Sequence, residues 1–310
     1  MLIETGSHVP GVDPASFGVP SYAALRYEIP APGLREFIAD YHVLDSEPRN
    51  PEAGSGWMLP NSPAIRFILD NTPMSLAIGK GEQAPLPQAA FYGATSKAAR
   101  MLVARGGITI GFNLTAVGFA RLCGNADAAR LRDTVSPLDQ LLPAPVVRSI
   151  AGRLRDHDRG RGVKGIFDAV LPPLFAVPHP READIRRVAA LLARPGVADL
   201  VAECAAVGIS QRRLERIANR FFGYPPQLLY RRARFLRSIV ALKLAGPPFA
   251  LADPEYHDQS HFIRSGHRFL GMTPLQFLRM STPYLDSVLR ARAIVHGASL
   301  AALDGGVSAS

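Results

Sequence analysis

Within residues 197–223, VADLVAECAAVGISQRRLERIANRFFG, a glycine and a serine two positions apart end one helical pattern and start another. Before Gly208, residues Leu200, Val201, Cys204 and Ala205 recur at three-and-four spacing, the stripe of a short amphipathic helix. Gly208 can close that helix because a residue without a Cβ enters the left-handed region without a side-chain clash. Ser210 then offers its hydroxyl to the free N–H groups of the next turn, a plain serine cap, since Arg213 cannot complete a capping box. Beyond it Leu214, Ile217, Ala218 and Phe221 form a second stripe, leaving Arg212, Glu215, Arg216, Asn219 and Arg220 on the opposite face. The spacing predicts two short helices crossing steeply, a helix-turn-helix, with small Cys204 permitting close approach. Read alone, the stretch also fits a helical hairpin with a solvated basic face.

Charge placement favours the first reading. The net charge of +9 is spread unevenly: residues 1–179 hold 17 Lys+Arg and 16 Asp+Glu, whereas 180–310 hold 18 and 10. Between Ser210 and Arg237 eight arginines face one acid, Glu215, the electrostatic footprint of phosphate contacts. Downstream, 256–278 (YHDQSHFIRSGHRFLGMTPLQFL) repeats the layout of the first unit. After the caps Ser210 and Asp258, an apolar residue follows at four (Leu214, Phe262), arginine at six (Arg216, Arg264) and glycine at thirteen (Gly223, Gly271). A turn and a proline then follow each glycine, Tyr224-Pro225 and Met272-Thr273-Pro274.

With these motifs, residues 181–280 resemble the DNA-binding domain of AraC/XylS-type transcriptional regulators, two helix-turn-helix units held by a long linking helix. The run 258–264 (DQSHFIR) and Gly271-Met272-Thr273-Pro274 carry most of the likeness. The resemblance implies a double-stranded DNA partner. It places base contacts at Arg212, Glu215 and Arg216 in the first unit and at Gln259, Ser260, Ile263 and Arg264 in the second. An arginine there would grip guanine O6 and N7, and Glu215 would accept from cytosine N4 or orient a neighbouring arginine. Phosphate contacts are expected from Ser210, Arg213, Arg220, Arg231, Arg232 and Arg268, with Arg234 and Arg237 as further candidates. Eight residues past each cap the family usually has phenylalanine, whereas this chain has Ala218 and Gly266. Pro247, Pro248 and Pro254 should shorten or abolish the helix leading into the second unit.

The amino-terminal half reads differently. Short, partly alternating segments divided by glycine, proline or asparagine predict strands at 22–29, 57–60, 64–70, 75–78, 89–92, 99–104 and 107–113, a small barrel or sandwich. Segment 34–44 fits helix or strand, and helices are expected over 114–123, 136–142 and 145–156, with Thr134 or Ser136 as a cap. Residues 153–164 read as solvated surface or a helix end. This half resembles the barrel-like, cupin-like domain often found ahead of AraC-type DNA-binding domains. The likeness rests on Met58-Leu59-Pro60-Asn61-Ser62, Tyr92-Gly93-Ala94, Ile110-Gly111-Phe112-Asn113 and 118–124 (GFARLCG), with Asn61-Ser62 where relatives usually have Asp-Gly. It implies a sensing role for a small-molecule effector, or a homodimer contact. The fold class expected is therefore α+β: a barrel or sandwich with helices, then an all-α double helix-turn-helix domain. The divisions expected are a loose arm (1–20), the barrel-like domain (21–171), a proline-rich linker (172–180), the DNA-binding domain (181–296) and a fraying tail (297–310).

Other chemistries find little support. No apolar run approaches a membrane span, and residues 1–20 lack the pattern of a signal peptide, so a cytoplasmic protein is expected. Cys123 and Cys204 lack metal-ligand spacing and are expected to be reduced, packed thiols. His257 and His261 lie four apart without the intervening glutamate of a zinc-protease helix, and His42 is far from any His-x-His pair. Phosphate loops and dinucleotide fingerprints are absent, and Gly79-Lys80-Gly81 signals only a turn. No metal, cofactor or catalytic residue is expected. Two alternatives to a DNA-reading regulator stay open: a degenerate regulator acting through a protein partner, and a barrel enzyme fused to a DNA-binding domain.

Overall fold

The structure, a computed structural model, describes residues 1–47, 55–69, 73–103, 106–124, 126–194, 196, 200–249, 256 and 258–297. Among these residues ten strands make two antiparallel sheets. The larger has the order β1 (Ala23–Glu28), β2 (Ile38–Ser46), β9 (Gly107–Leu114), β4 (Ala64–Ile68), β7 (Ala89–Tyr92), β10 (Val135–Pro137). The smaller runs β3 (Ser55–Met58), β8 (Ala99–Val103), β5 (Met74–Ile78), β6 (Gly81–Gln83). Strand alternation gives each sheet two faces. On β4, Ile65 and Phe67 point into a core shared with the helices, while Ala64 and Ile68 pack with Met74, Leu76 and Met101 between the sheets.

The helices are α1 (Ala116–Cys123), α2 (Ala128–Leu131), α3 (Ala144–Asp156), α4 (Gly162–Val170), α5 (Glu182–Ala193), α6 (Leu200–Ala206), α7 (Gln211–Ile217), α8 (Pro226–Ala245), α9 (Gln259–Leu270), α10 (Pro274–Arg279) and α11 (Pro283–His296). The expected α+β class is thus present: two antiparallel sheets with helices, followed by a carboxyl-terminal helical region. No helix among the described residues is long and apolar enough to cross a membrane.

Several expectations need correction. Residues 136–142 form no α-helix: Val135–Pro137 pairs antiparallel with β7 and only a 3-10 turn, Leu138–Gln140, follows. Pairing with a distant strand overrode the capping signal at Thr134 and Ser136. The charged stretch 153–164 is a helix end with mostly exposed charges, as expected: it ends α3 and opens α4, whose buried Val163, Ile166 and Phe167 the charge run does not announce. The amino-terminal arm is not loose. Gly6 bridges Arg26, and Phe17, fully buried, packs with Ala291 and Val295 of α11. Helix α11 accordingly lies on the barrel side of the molecule, against β1 and β3, although its sequence position continues the DNA-binding half. The proline-rich stretch before α5 also packs, through buried Phe175 stacked on Phe37 at 5.2 Å. Cys123 and Cys204 are free, and burial pushes the Cys123 thiol up to about 12, which makes it a packing group.

Candidate nucleic-acid interface

The first unit is built as its sequence requires. Helix α6 ends at Gly208, whose φ of 67° lies in the left-handed region. The Ser210 hydroxyl accepts from the Arg213 N–H at 3.3 Å and opens α7. Leu214, Ile217, Ala218 and Phe221 are all buried, and the last turn, Ala218–Phe222, widens to π spacing before Gly223 at φ 85° closes it. That fixes the outward face. Arg212, Glu215, Arg216 and Arg220 are exposed, and among the described residues none of these arginines is paired with a carboxylate. Glu215 accepts from Gln211 Nε2 at 3.3 Å, so it is oriented by its own helix and does not neutralise Arg212 or Arg216.

The second unit presents a similar face. Asp258 caps α9 by accepting from the His261 N–H at 2.7 Å, and Gln259, Ser260, Arg264 and Arg268 are exposed, with Ile263 half-buried. Its inner side is aromatic: Phe235 of α8 lies 5.5 Å from both Phe262 and Phe269. Gly266 is explained by packing. A Cβ there would sit 2.8 Å from Pro274 Cγ, so the glycine lets α10 close on α9 where a phenylalanine would hold them apart. Pro254 and the remainder of 250–255, with His257, lie outside the described residues. No cluster of His, Cys, Asp or Glu suited to a metal occurs among the described residues. Between the units α8 runs 20 residues, about 30 Å at the usual helical rise.

Residues 204–280 match the family described as a helix-turn-helix domain. The carboxyl-terminal region is a helix-turn-helix domain of the AraC/XylS type. Among solved structures, ToxT from Vibrio cholerae aligns over 77% of this chain and 97% of its own, with 10% identity and a TM-score of 0.40. ToxT bound to an unsaturated fatty acid aligns over 74% and 95%, with 12% identity and a TM-score of 0.38. The AraC-like transcriptional activator CuxR aligns over 64% and 76%, with 15% identity and a TM-score of 0.23. No curated protein sequence matches the chain.

Two expected phosphate contacts of the AraC-type domain are otherwise engaged. The Arg213 guanidinium donates to Asp184 Oδ2 from Nε at 3.1 Å and Nη2 at 2.7 Å, tying α7 to α5. Arg232, 4% exposed, donates from Nη1 to the Thr95 carbonyl at 3.0 Å. Arg234 lies over the Tyr256 ring at 4.5 Å and is half-buried, whereas Arg231 is exposed. Sequence periodicity could not reveal the Arg232 contact, because its partner comes from the loop between β7 and β8, far away in the chain.

That loop, 93–98, meets the AraC-type domain at three points. Tyr224 donates its hydroxyl to the Ala94 carbonyl at 2.8 Å, Arg232 reaches Thr95, and the Ala98 N–H donates to the Phe269 carbonyl at 2.6 Å. It thus touches the end of the first unit, the linking helix α8 and helix α9 of the second. Asp133, at φ 55°, braces it by accepting from the Ser96 N–H at 2.7 Å and the Ser96 hydroxyl at 2.9 Å. Arg232→Met is therefore expected to cost about 1–3 kcal/mol of stability, since the Thr95 carbonyl loses its donor, while the salt slope of DNA binding stays unchanged. A phosphate contact at Arg232 would show the reverse: normal denaturant midpoint and a salt slope reduced by about one.

Proposed function

We propose that the protein is a sequence-specific transcriptional regulator that reads the major groove with α7, assisted by α9, while its amino-terminal domain senses an effector or pairs two copies. The observation that carries this reading is the exposed set Arg212, Glu215 and Arg216 at i, i+3 and i+4 on a helix whose opposite stripe is wholly buried. A helix fits the major groove, and its first turns meet base edges while flanking cations hold phosphates. Arg220, Arg231 and Arg268, all exposed and unpaired with carboxylates among the described residues, supply the latter, while Arg264 joins Gln259 and Ser260 as the base contacts of α9. With the two readers on one linking helix, successive grooves about 34 Å apart are read along one face of the duplex. Such a protein acts in the cytoplasm and needs no catalytic step.

The test is selection of genomic fragments from the source organism by the purified protein at near-physiological salt. A shared motif among the bound fragments, with affinity falling steeply as salt rises, is the expected result. Weak, uniform binding with a shallow slope would overturn the reading and direct attention to a protein partner.

A further inference from the structure

Arg66 is a buried cation whose charge no carboxylate answers among the described residues. It lies mid-strand in β4 with its side chain between the two sheets and is 9% exposed. Its Nη1 donates to Met58 Sδ at 3.1 Å and its guanidinium lies over the Tyr92 ring at 4.6 Å, but Nε has no hydrogen-bond partner. Among the described residues it forms no ion pair. The neighbouring buried cation, Arg292 of α11, differs: its Nη2 is 3.5 Å from Asp40 Oδ2. A buried charge left unpaired is costly, and one that lines a cleft is a candidate contact for a ligand of opposite charge.

The surroundings give the ligand its character. Arg66 lines a cavity of about 130 Å³ walled by β-strand residues including Leu25, Leu44 and Trp57 and by Leu285 and Leu289 of α11. Across the larger sheet His42, Gly111 and Arg66 occupy one row of the register. A Cβ at position 111 would lie 3.1 Å from His42 Nε2 and 2.9 Å from Arg66 Cγ and would collide with the Ile65 carbonyl, so glycine is what lets both side chains lie over the sheet. His42 adds no negative charge: burial and the Arg66 charge hold its pKa below the ordinary imidazole value against the pull of Asp40. The polar end of the cavity therefore offers one uncompensated positive charge, and the rest is mainly apolar. A cavity of about 150 Å³ lined by apolar groups holds benzene, which sets the scale at about six to nine non-hydrogen atoms. A phosphate would bring a second negative charge and no apolar body.

We propose that this cavity binds a compact apolar monocarboxylate, its carboxylate accepting from Arg66 and its body packed between the barrel and α11. The binding step stands on the cavity alone. Its consequence for transcription rests on the regulator reading above, since α11 continues the chain from the second helix-turn-helix unit and one of its faces walls the site.

Trp57 is the only tryptophan and lines the cavity, so its emission reports occupancy in the full-length protein without DNA. Cyclohexanecarboxylate should produce a saturable change in Trp57 fluorescence, and cyclohexanecarboxamide, the same shape without charge, should bind at least about tenfold more weakly. Arg66→Met should weaken the acid by at least about tenfold and leave the amide unaffected. Absence of a saturable signal, equal binding of acid and amide, or undiminished acid binding by Arg66→Met would overturn the proposal. Should that variant fail to fold, the contrast between acid and amide on the parent decides. The assay contains no DNA, so its failure leaves the DNA-reading proposal standing, and failure of fragment selection leaves the cavity intact.

Discussion

Arg292→Met is expected to lower the unfolding free energy by about 3–5 kcal/mol, the usual cost of removing one partner from a buried ion pair. Asp40 is fully buried, and its Oδ1 accepts from Asn113 Nδ2 at 2.7 Å and lies 3.3 Å from His42 Nδ1. Burial by itself would raise the Asp40 carboxyl, but the bond from His42 and the charge of Arg292 outweigh it and hold the group well below the usual carboxylate range. A carboxyl depressed in the folded state stabilises the protein fully above its unfolded value of about 3.9 and loses that contribution as pH falls through the folded value. Without Arg292 one of the effects that offset burial is lost, and the carboxyl rises. The deficit of Arg292→Met should therefore be greatest near neutral pH and shrink toward about pH 4.5, as protonation relieves the stranded charge. Denaturant titrations of parent and variant at the two pH values check this, and Asp40→Asn combined with Arg292→Met should recover part of the loss. A deficit below about 1 kcal/mol, or one independent of pH, would remove the ion pair from the forces that hold α11 to the barrel.

The consequence reaches beyond stability because α11 links the two ends of the chain. Ser287 donates its hydroxyl to the Gly18 carbonyl at 3.0 Å and Arg290 donates to the Phe17 carbonyl at 3.2 Å, beside the cavity-facing side chains of the same helix. This arrangement was not legible in the sequence, where residues 1–20 show little pattern and 283–296 read as the end of the DNA-binding half. Periodicity reports which face of a helix is apolar, and for α7 the stripe Leu214, Ile217, Ala218 and Phe221 is the buried face. It is silent on which distant element covers that face. Arg232 and Arg213 show the same limit: both sit in an arginine-rich stretch and look alike, yet Thr95 and Asp184 take them out of the exposed set. In the barrel the signal is present in the sequence. An arginine inside AIRFI and an aspartate with a histidine inside IADYHVLDS stand where alternation would place buried positions, and a polar group at a buried position is the informative anomaly.

Loss of Arg212 and Arg216 together should abolish motif recognition while leaving the fold unchanged. Each arginine gripping a guanine contributes about 1–3 kcal/mol of discrimination, so Arg212→Ala/Arg216→Ala should weaken the selected site by roughly thirtyfold to ten-thousandfold. Both side chains are exposed and form no ion pair with a carboxylate among the described residues, so truncating them strands no buried partner and the denaturant midpoint should not move. Arg220, Arg231, Arg264 and Arg268 remain, so weak binding to any duplex should persist with most of its salt slope. The pattern matters more than the size of the loss. Uniform weakening on all sequences would assign the two arginines to phosphates, whereas loss confined to the selected motif places them at base edges. If the double variant still selects the same motif, α7 is not the reader, and the exposed Gln259, Ser260 and Arg264 of α9 become the residues to change next.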